Sequence, residues 1–380
     1  MSDVDPLGGL PQETERRAPE QETPEPHAAR ARRPPPAPTT LVLLTLLGLM
    51  FLAEIWAGGG LDPDPLALFR MGALSGAAVR DGDWWRLGSY AFLHAGPVHL
   101  LFNAYALWIL MRPIESLFGP IVALGLFAAT AIAGGGASIA ASVLRHDPWQ
   151  QAVGASGGIF GLFGAHVALY WRLRNRLTPE ARRAAGRTLL VNLLINLALA
   201  VGAQAANFPL DNAAHAGGFF SGILVGLLAP SHVLPPRPWS KPALYLLVGA
   251  SFALAAMEGA AIARAVRPHE RTLRNDGVEA RVPWSLVPGP RGIAVGVEGE
   301  QVFVGRARDL DSGGRAVQLG NRAWYEHRAS AQDGADTTIL TTGDGGAGLR
   351  VEVRCDGERC SDAKRDALAE QVAATARAAP

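Results

Sequence analysis

The 380-residue sequence predicts an all-α polytopic membrane protein of seven spans, the seventh a C-terminal transmembrane helix, with a small extramembrane α+β domain attached. Three observations carry that prediction. Hydrophobic residues make up 49% of the chain and charged residues only 18%, where a soluble domain carries about a quarter charged. Apolar stretches near the roughly 20 residues that cross a bilayer recur at about 40–57, 97–115, 120–143, 152–171, 188–206, 212–230 and 242–264. Beyond residue 265 the pattern changes to short alternating apolar runs separated by Gly/Asp turns, which is the signature of strands.

Taken in order, residues 1–39 are rich in Pro, Glu and Arg and hold almost no large apolar side chain before Leu41. Such a segment buries too little surface to offset its ordering entropy and is expected to be disordered. It is too long and too acidic to be the n-region of a signal peptide. Among the apolar stretches, 120–143 is Gly/Ala-rich, and 188–206 contains Asn192, Asn196 and Gln204. Lipid offers those amides no partners, so they are expected to face protein or water.

Orientation follows from basic residues. Arg30, Arg32 and Arg33 precede the first stretch, and Arg172, Arg174, Arg176, Arg182, Arg183 and Arg187 follow the fourth. Arg237 and Lys241 lie between the sixth and seventh. All three groups fall on one side if every stretch crosses, and the positive-inside rule makes that side cytoplasmic. The C-terminal region is then extracytoplasmic, and the setting expected is a bacterial plasma (inner) membrane. Residues 58–96 become a long outer loop whose Trp84, Trp85, Tyr90 and Phe92 suit a membrane interface.

The domain boundaries that follow are a disordered segment at 1–39, a core at 40–230, a loop and additional transmembrane helix at 231–264, a linker at 265–290 and an extracytoplasmic domain at 291–380. In the last of these, Ile293–Val295, Val302–Val304 and Leu349–Val353 read as strands, and Ser361-Asp362 opens a closing helix. No chemistry is evident in it. Its Cys355 and Cys360 are the only cysteines of the chain. They could close a small disulfide loop on an oxidising side or stay as two unpaired surface thiols. The net charge of +1 gives no signal for a nucleic-acid partner.

Three polar constellations sit inside apolar stretches. Gly154-Ala155-Ser156-Gly157 opens the fourth, His99 and Asn103 lie in the second, and Ala214-His215-Ala216-Gly217-Gly218 lies in the sixth. Singly, each has a packing explanation: glycines let membrane helices approach, and Ser, His and Asn form interhelical hydrogen bonds. Together they fall at one depth on the outer side. A serine hydroxyl needs a base such as His215 to become a nucleophile. His99 and Asn103 are four residues apart, so one helical face presents both, suited to holding an oxyanion. No carboxylate joins these histidines and the cysteines are remote, so no metal or organic cofactor is expected.

The run Trp84-Trp85-Arg86-Leu87, His94, His99-Leu100-Leu101-Phe102-Asn103, then Gly154-Ala155-Ser156-Gly157, then Ala214-His215 with Gly218 and Gly222, resembles the rhomboid family in content and order across roughly residues 40–230. The resemblance implies a rhomboid-like six-helix catalytic core in which a Ser156–His215 dyad cleaves membrane proteins within or next to their transmembrane segments, through an acyl-enzyme. It implies an oxyanion site made by the Ser156 N–H with the side chains of His99 and Asn103, and substrate entry by movement of the fifth span. It assigns Trp85-Arg86 to a loop element that stabilises the fold; an interfacial anchor is the other reading. Where the best-known bacterial pattern often has a Tyr four residues after the nucleophile, this chain has Phe160, which can stack on the imidazole but offers no hydroxyl. Two rivals remain. A proton channel or transporter would call for more intramembrane acids than Glu54 and Glu115, and for an internal repeat. A catalytically inactive relative that binds or escorts membrane proteins usually lacks the serine or the histidine, and this chain keeps both.

Overall fold

A computed structural model of the chain describes residues 37–380 except 59, 63, 148–149, 206–209, 267–269, 276, 285, 289–292, 297–299, 308–313, 320–321, 331–335, 343–347, 356–360 and 379–380. The segment expected to be disordered therefore lies outside the described residues up to position 36, as do Cys360 and the side chain of Gln204.

Helices occupy every apolar stretch: α1 (Pro38–Gly58), α5 (Pro97–Phe118), α6 (Pro120–Leu144), α7 (Ser156–Leu173), α8 (Pro179–Ala205), α9 (Asn212–Leu228) and α10 (Ser240–Val266). Of the described helices, α1, α6 and α10 are each long and apolar enough to cross a bilayer. The fourth stretch begins as a helix only at Ser156, because Gln151–Ala152 form a short strand, β2. Helix α8 starts nine residues before the expected 188, within the Arg-rich segment. Its start signal is Thr178-Pro179: the Thr178 hydroxyl accepts from the Ala181 N–H at 3.3 Å, and proline is at home in a first helical turn.

Between α1 and α5 the chain forms α2 (Pro65–Met71), β1 (Leu74–Ser75), α3 (Gly76–Arg80), α4 (Arg86–Ser89) and a 3₁₀ turn at Tyr90–Phe92. Here the interfacial expectation is corrected. Trp84 is 56% exposed, but Trp85, Tyr90 and Phe92 are buried. Trp85 packs with Met257 and Ala261 of α10, and the Tyr90 hydroxyl donates to the Ala131 carbonyl of α6 at 2.8 Å. Neighbouring helices, not lipid headgroups, take up these rings. The Arg86 guanidinium, fully buried, donates to Asp83 at 2.9 Å and to the carbonyls of Phe69 and Ala73 at 2.7 and 2.8 Å. Trp85-Arg86 is thus a folding element of the connection.

Two of the intramembrane acids have structural partners. The Glu115 carboxylate of α5 accepts from the backbone N–H groups of Thr39 and Thr40 at 2.7 and 3.0 Å, satisfying orphan donors at the start of α1. Glu54 accepts from the His94 N–H with both oxygens at 3.1 Å. A third acid, Glu258, lies in α10 with both carboxylate oxygens buried and unpartnered among the described residues.

Helices α6, α7 and α9 pack closest, because glycine faces glycine. A Cβ on Gly218 would sit inside contact distance of the Gly157 carbonyl, and one on Gly222 would meet the Gly161 carbonyl in the same way. Backbone thus touches backbone across α7 and α9.

Strands fill the C-terminal domain. Antiparallel pairing links β5 (Leu286–Pro288), β6 (Ile293–Gly296), β7 (Glu300–Ala307), β11 (Gly348–Cys355), β10 (Asp336–Thr342), β9 (Arg322–Ser330) and β8 (Arg315–Leu319) in that spatial order. Helix α11 (Asp362–Thr375), capped by Ser361, buries Ala369, Val372 and Ala373 against Val351 and Val353. Within the expected linker at 265–290 the described residues include strands: β3 (Glu270–Asn275) and β4 (Val278–Pro283), with β12 (Arg377–Ala378), form a second sheet. Leu273, Val278, Ala280 and Val282 face its core, while Glu270, Arg274 and Arg281 face outward. That outward charge hid a strand alternation. Cys355 is disulfide-bonded.

Candidate active site

Ser156 is the first residue of α7, so its N–H is among the helix-terminal donors that lack an intrahelical partner. The chain reaches it through Gly154 at φ +124°, a left-handed conformation that favours glycine. A Cβ on Gly154 would also stand 2.8 Å from Cε1 and Nε2 of His99. The Gly154 N–H donates to the Tyr90 carbonyl at 2.9 Å, and β2 just upstream pairs with β1, Leu74 opposite Ala152 and Ser75 opposite Gln151. The serine loop is thereby pinned to the α1–α5 connection at three points, Gln151, Ala152 and Gly154.

His215 lies in the first turn of α9. Asp211 caps that helix: one carboxylate oxygen accepts from the Ala214 N–H at 2.9 Å, and the other accepts from the Ser138 hydroxyl of α6. Across the glycine seam, His215 Nε2 and Ser156 Oγ are 2.9 Å apart, within hydrogen-bond reach. The Phe160 ring stacks on the imidazole with centroids 4.3 Å apart and planes 10° from parallel, fixing the ring plane. No carboxylate hydrogen-bonds the His215 ring among the described residues.

His99 lies in the first turn of α5, beside Gly154, with its Nδ1 facing the Ala95 N–H at 3.4 Å. The buried His94 ring stands edge-on to it at 5.1 Å. Asn103, one turn on, gives one amide hydrogen to the His99 carbonyl at 3.0 Å and keeps the other. Its nitrogen lies 3.8 Å from where a Gly154 Cβ would be. All four sequence-predicted site residues therefore gather around the turn that enters α7. Asp211 and Ser138 were not anticipated, and Tyr90 was expected only at a membrane interface. An Asp-Asn pair opening the sixth stretch is a helix-cap signal that could have flagged Asp211. Ser138 and Tyr90 carry no local signal.

Residues 81–232 match the Rhomboid domain family. Over 196 residues the chain is 36% identical to rhomboid protease GluP of Bacillus subtilis (strain 168), an alignment covering 50% of this chain and 35% of GluP. It is 31% identical over 194 residues to RHOMBOID-like protein 5 of Arabidopsis thaliana, covering 50% of this chain and 60% of that protein. A second Bacillus subtilis (strain 168) relative, YdcA, is 33% identical over 150 residues and is covered over 69% of its length. The chain thus spans well under two thirds of GluP and somewhat under two thirds of the Arabidopsis protein.

Proposed function

The chain belongs to the rhomboid family of integral membrane proteins, and from that premise we propose that it is an intramembrane serine endopeptidase using Ser156 and His215. The observation that carries this reading is the 2.9 Å approach of His215 Nε2 to Ser156 Oγ. Neutral His215 takes the hydroxyl proton as Oγ attacks a scissile carbonyl, then returns it to the leaving amine. The acyl-enzyme is released by a water that His215 deprotonates. The Ser156 N–H, His99 and the free Asn103 amide hydrogen surround the place where negative charge develops on the substrate oxygen. Replacing either His99 or Asn103 by Ala is expected to lower kcat by about 10²–10³, the effect of losing one oxyanion donor. The ring stacking of Phe160 supports a fixed imidazole without a carboxylate partner.

The substrates proposed are single-span or other membrane proteins. A substrate helix has its carbonyls tied in hydrogen bonds, so the cleaved segment must unwind locally, which favours small or helix-breaking residues. Helix α8 suits a lateral entrance: five of its apolar side chains, Leu190, Val191, Leu193, Leu194 and Ile195, are exposed within the chain. The seven helices are read as seven crossings, with the N-terminus cytoplasmic and the C-terminal domain outside a bacterial plasma membrane.

The test is cleavage of a model single-span substrate by the purified protein in liposomes, beside Ser156→Ala and His215→Ala. Cleavage by the parent chain that both substitutions abolish is the expected result. No cleavage of several substrates by a well-folded parent chain would instead favour a membrane-protein binder, and cleavage surviving Ser156→Ala would overturn the site.

A further inference from the structure

The C-terminal domain lies beyond the family match, yet it grips the scaffold of the site. Arg271 on β3 is 9% exposed. It donates through Nε to the Trp284 carbonyl at 3.0 Å, through Nη1 to Asp81, and through Nη2 to Asp83. Asp83 is the same carboxylate that fixes Arg86, so guanidinium groups from two parts of the chain share one buried acid. Trp284 stacks on Phe69 with centroids 6.1 Å apart and, with Val287, closes an apolar cluster with Phe69, Ala77 and Ala78. The Arg86 guanidinium is then covered by Phe69 at 4.0 Å, Trp85 at 4.6 Å and Trp284 at 5.9 Å.

From this cluster a short run of contacts leads to the nucleophile. Arg86 binds the carbonyls of Phe69 and Ala73. Ala73 precedes β1, β1 pairs with β2, and β2 is followed by Gly154 and Ser156. Removing Arg271 would leave Asp81 and Asp83 facing Arg86 alone, with one carboxylate uncompensated in a largely buried setting. Interfaces between domains of one chain are usually polar and movable. A shared buried ion cluster backed by stacked aromatics ties the two bodies instead.

We propose that the C-terminal domain is a built-in clamp on the active-site scaffold, with Arg271 and Trp284 as positioning residues for Ser156. The inference rests on the protease reading for its effect on turnover, but the clamp itself is a physical coupling that can be read without a substrate. Arg271 and Trp284 touch neither substrate nor dyad; they act by holding the α1–α5 connection against the serine loop.

The test uses the full chain in liposomes with Arg271→Ala, Arg271→Lys and Trp284→Ala. Backbone hydrogen exchange is followed at residues 72–76 and 150–155, with α6 and α9 as references, alongside kcat and KM on a model substrate. Arg271→Ala and Trp284→Ala are expected to speed exchange selectively in those two segments and to lower kcat about tenfold with KM little changed, as a small misplacement of the nucleophile would do. Arg271→Lys, which keeps the charge and loses the fork, is expected to recover part of both. Exchange and turnover equal to the parent chain would overturn the clamp. So would faster exchange spread evenly over α6 and α9, since that marks general destabilisation. If the parent chain cleaves nothing, the protease reading fails, and the exchange pattern alone still decides the coupling.

Discussion

Phe160 and Gly154 illustrate how single positions set the site. The imidazole plane of His215 is held by stacking on Phe160 rather than by a hydrogen-bonded carboxylate. Phe160→Tyr keeps the ring and is expected to leave kcat within about threefold, whereas Phe160→Ala removes the stack and is expected to lower kcat about tenfold or more, since aromatic pairs contribute roughly 0.5–1.5 kcal/mol beyond burial. Steady-state kinetics in liposomes checks both. Ser156, His215, His99 and Asn103 were legible because polar groups in apolar stretches need a reason, and three such groups fell at one depth. The contact of Asp211 with Ser138 was not, because it joins α9 to another helix and only the capping role of Asp211 has a local signal. Burial of Trp85 was likewise invisible: an aromatic residue beside an arginine reads the same whether lipid headgroups or α10 cover it.

At the scale of elements, the seam between α7 and α9 has no room for a side chain at Gly218 or Gly222. Gly218→Ala would force its Cβ into the Gly157 carbonyl, and neither backbone can yield without opening the seam that brings Ser156 to His215. A loss of several kcal/mol is expected, at or above the 1–3 kcal/mol typical of overpacking, and thermal unfolding in detergent would show a lowered midpoint together with lost activity. The clasp between β3 and the α1–α5 connection has a pH signature. Burial alone would raise the Asp83 carboxyl, but Arg86 and Arg271 outweigh it and hold it below the ordinary carboxylate range. A depressed folded pKa stabilises above the unfolded value, about 4, and that contribution is lost as pH falls through the folded value. The stability difference between the parent chain and Asp83→Asn is therefore expected to be constant above about pH 4 and to shrink below it. Unfolding midpoints across pH 2–7 would check this; a difference that grew on acidification would contradict it. Asp81 behaves oppositely, since burial raises its carboxyl despite Arg271, so the two acids must be substituted separately. Strand periodicity located β6, β7 and β11 from sequence. It missed β3 and β4 because their outward faces carry Arg and Glu, which made a half-buried hairpin read as a polar tether.

For the whole molecule, hydropathy located a helix within each apolar stretch, and α1, α6 and α10 have bilayer-crossing length and composition. It said nothing of how the C-terminal domain sits, since that depends on a charge cluster assembled from residues nearly 190 positions apart in sequence. Arg distribution predicts a cytoplasmic N-terminus and an extracytoplasmic C-terminus. A reporter active only outside the cytoplasm, fused after Pro380, is expected to be active in bacterial cells, and the same reporter placed before α1 to be silent. The reverse pattern would invert the topology and put Ser156 near the cytoplasmic face.

Everything proposed for the site turns on Ser156 being a nucleophile activated by His215. The most direct test is treatment of the protein in liposomes with a fluorophosphonate, which reacts covalently with activated serines and needs no knowledge of the substrate, followed by peptide mapping. Modification at Ser156 in the parent chain and its loss in His215→Ala are the expected result. Modification elsewhere, none at all in folded protein, or labelling of Ser156 that persists without His215 would contradict it.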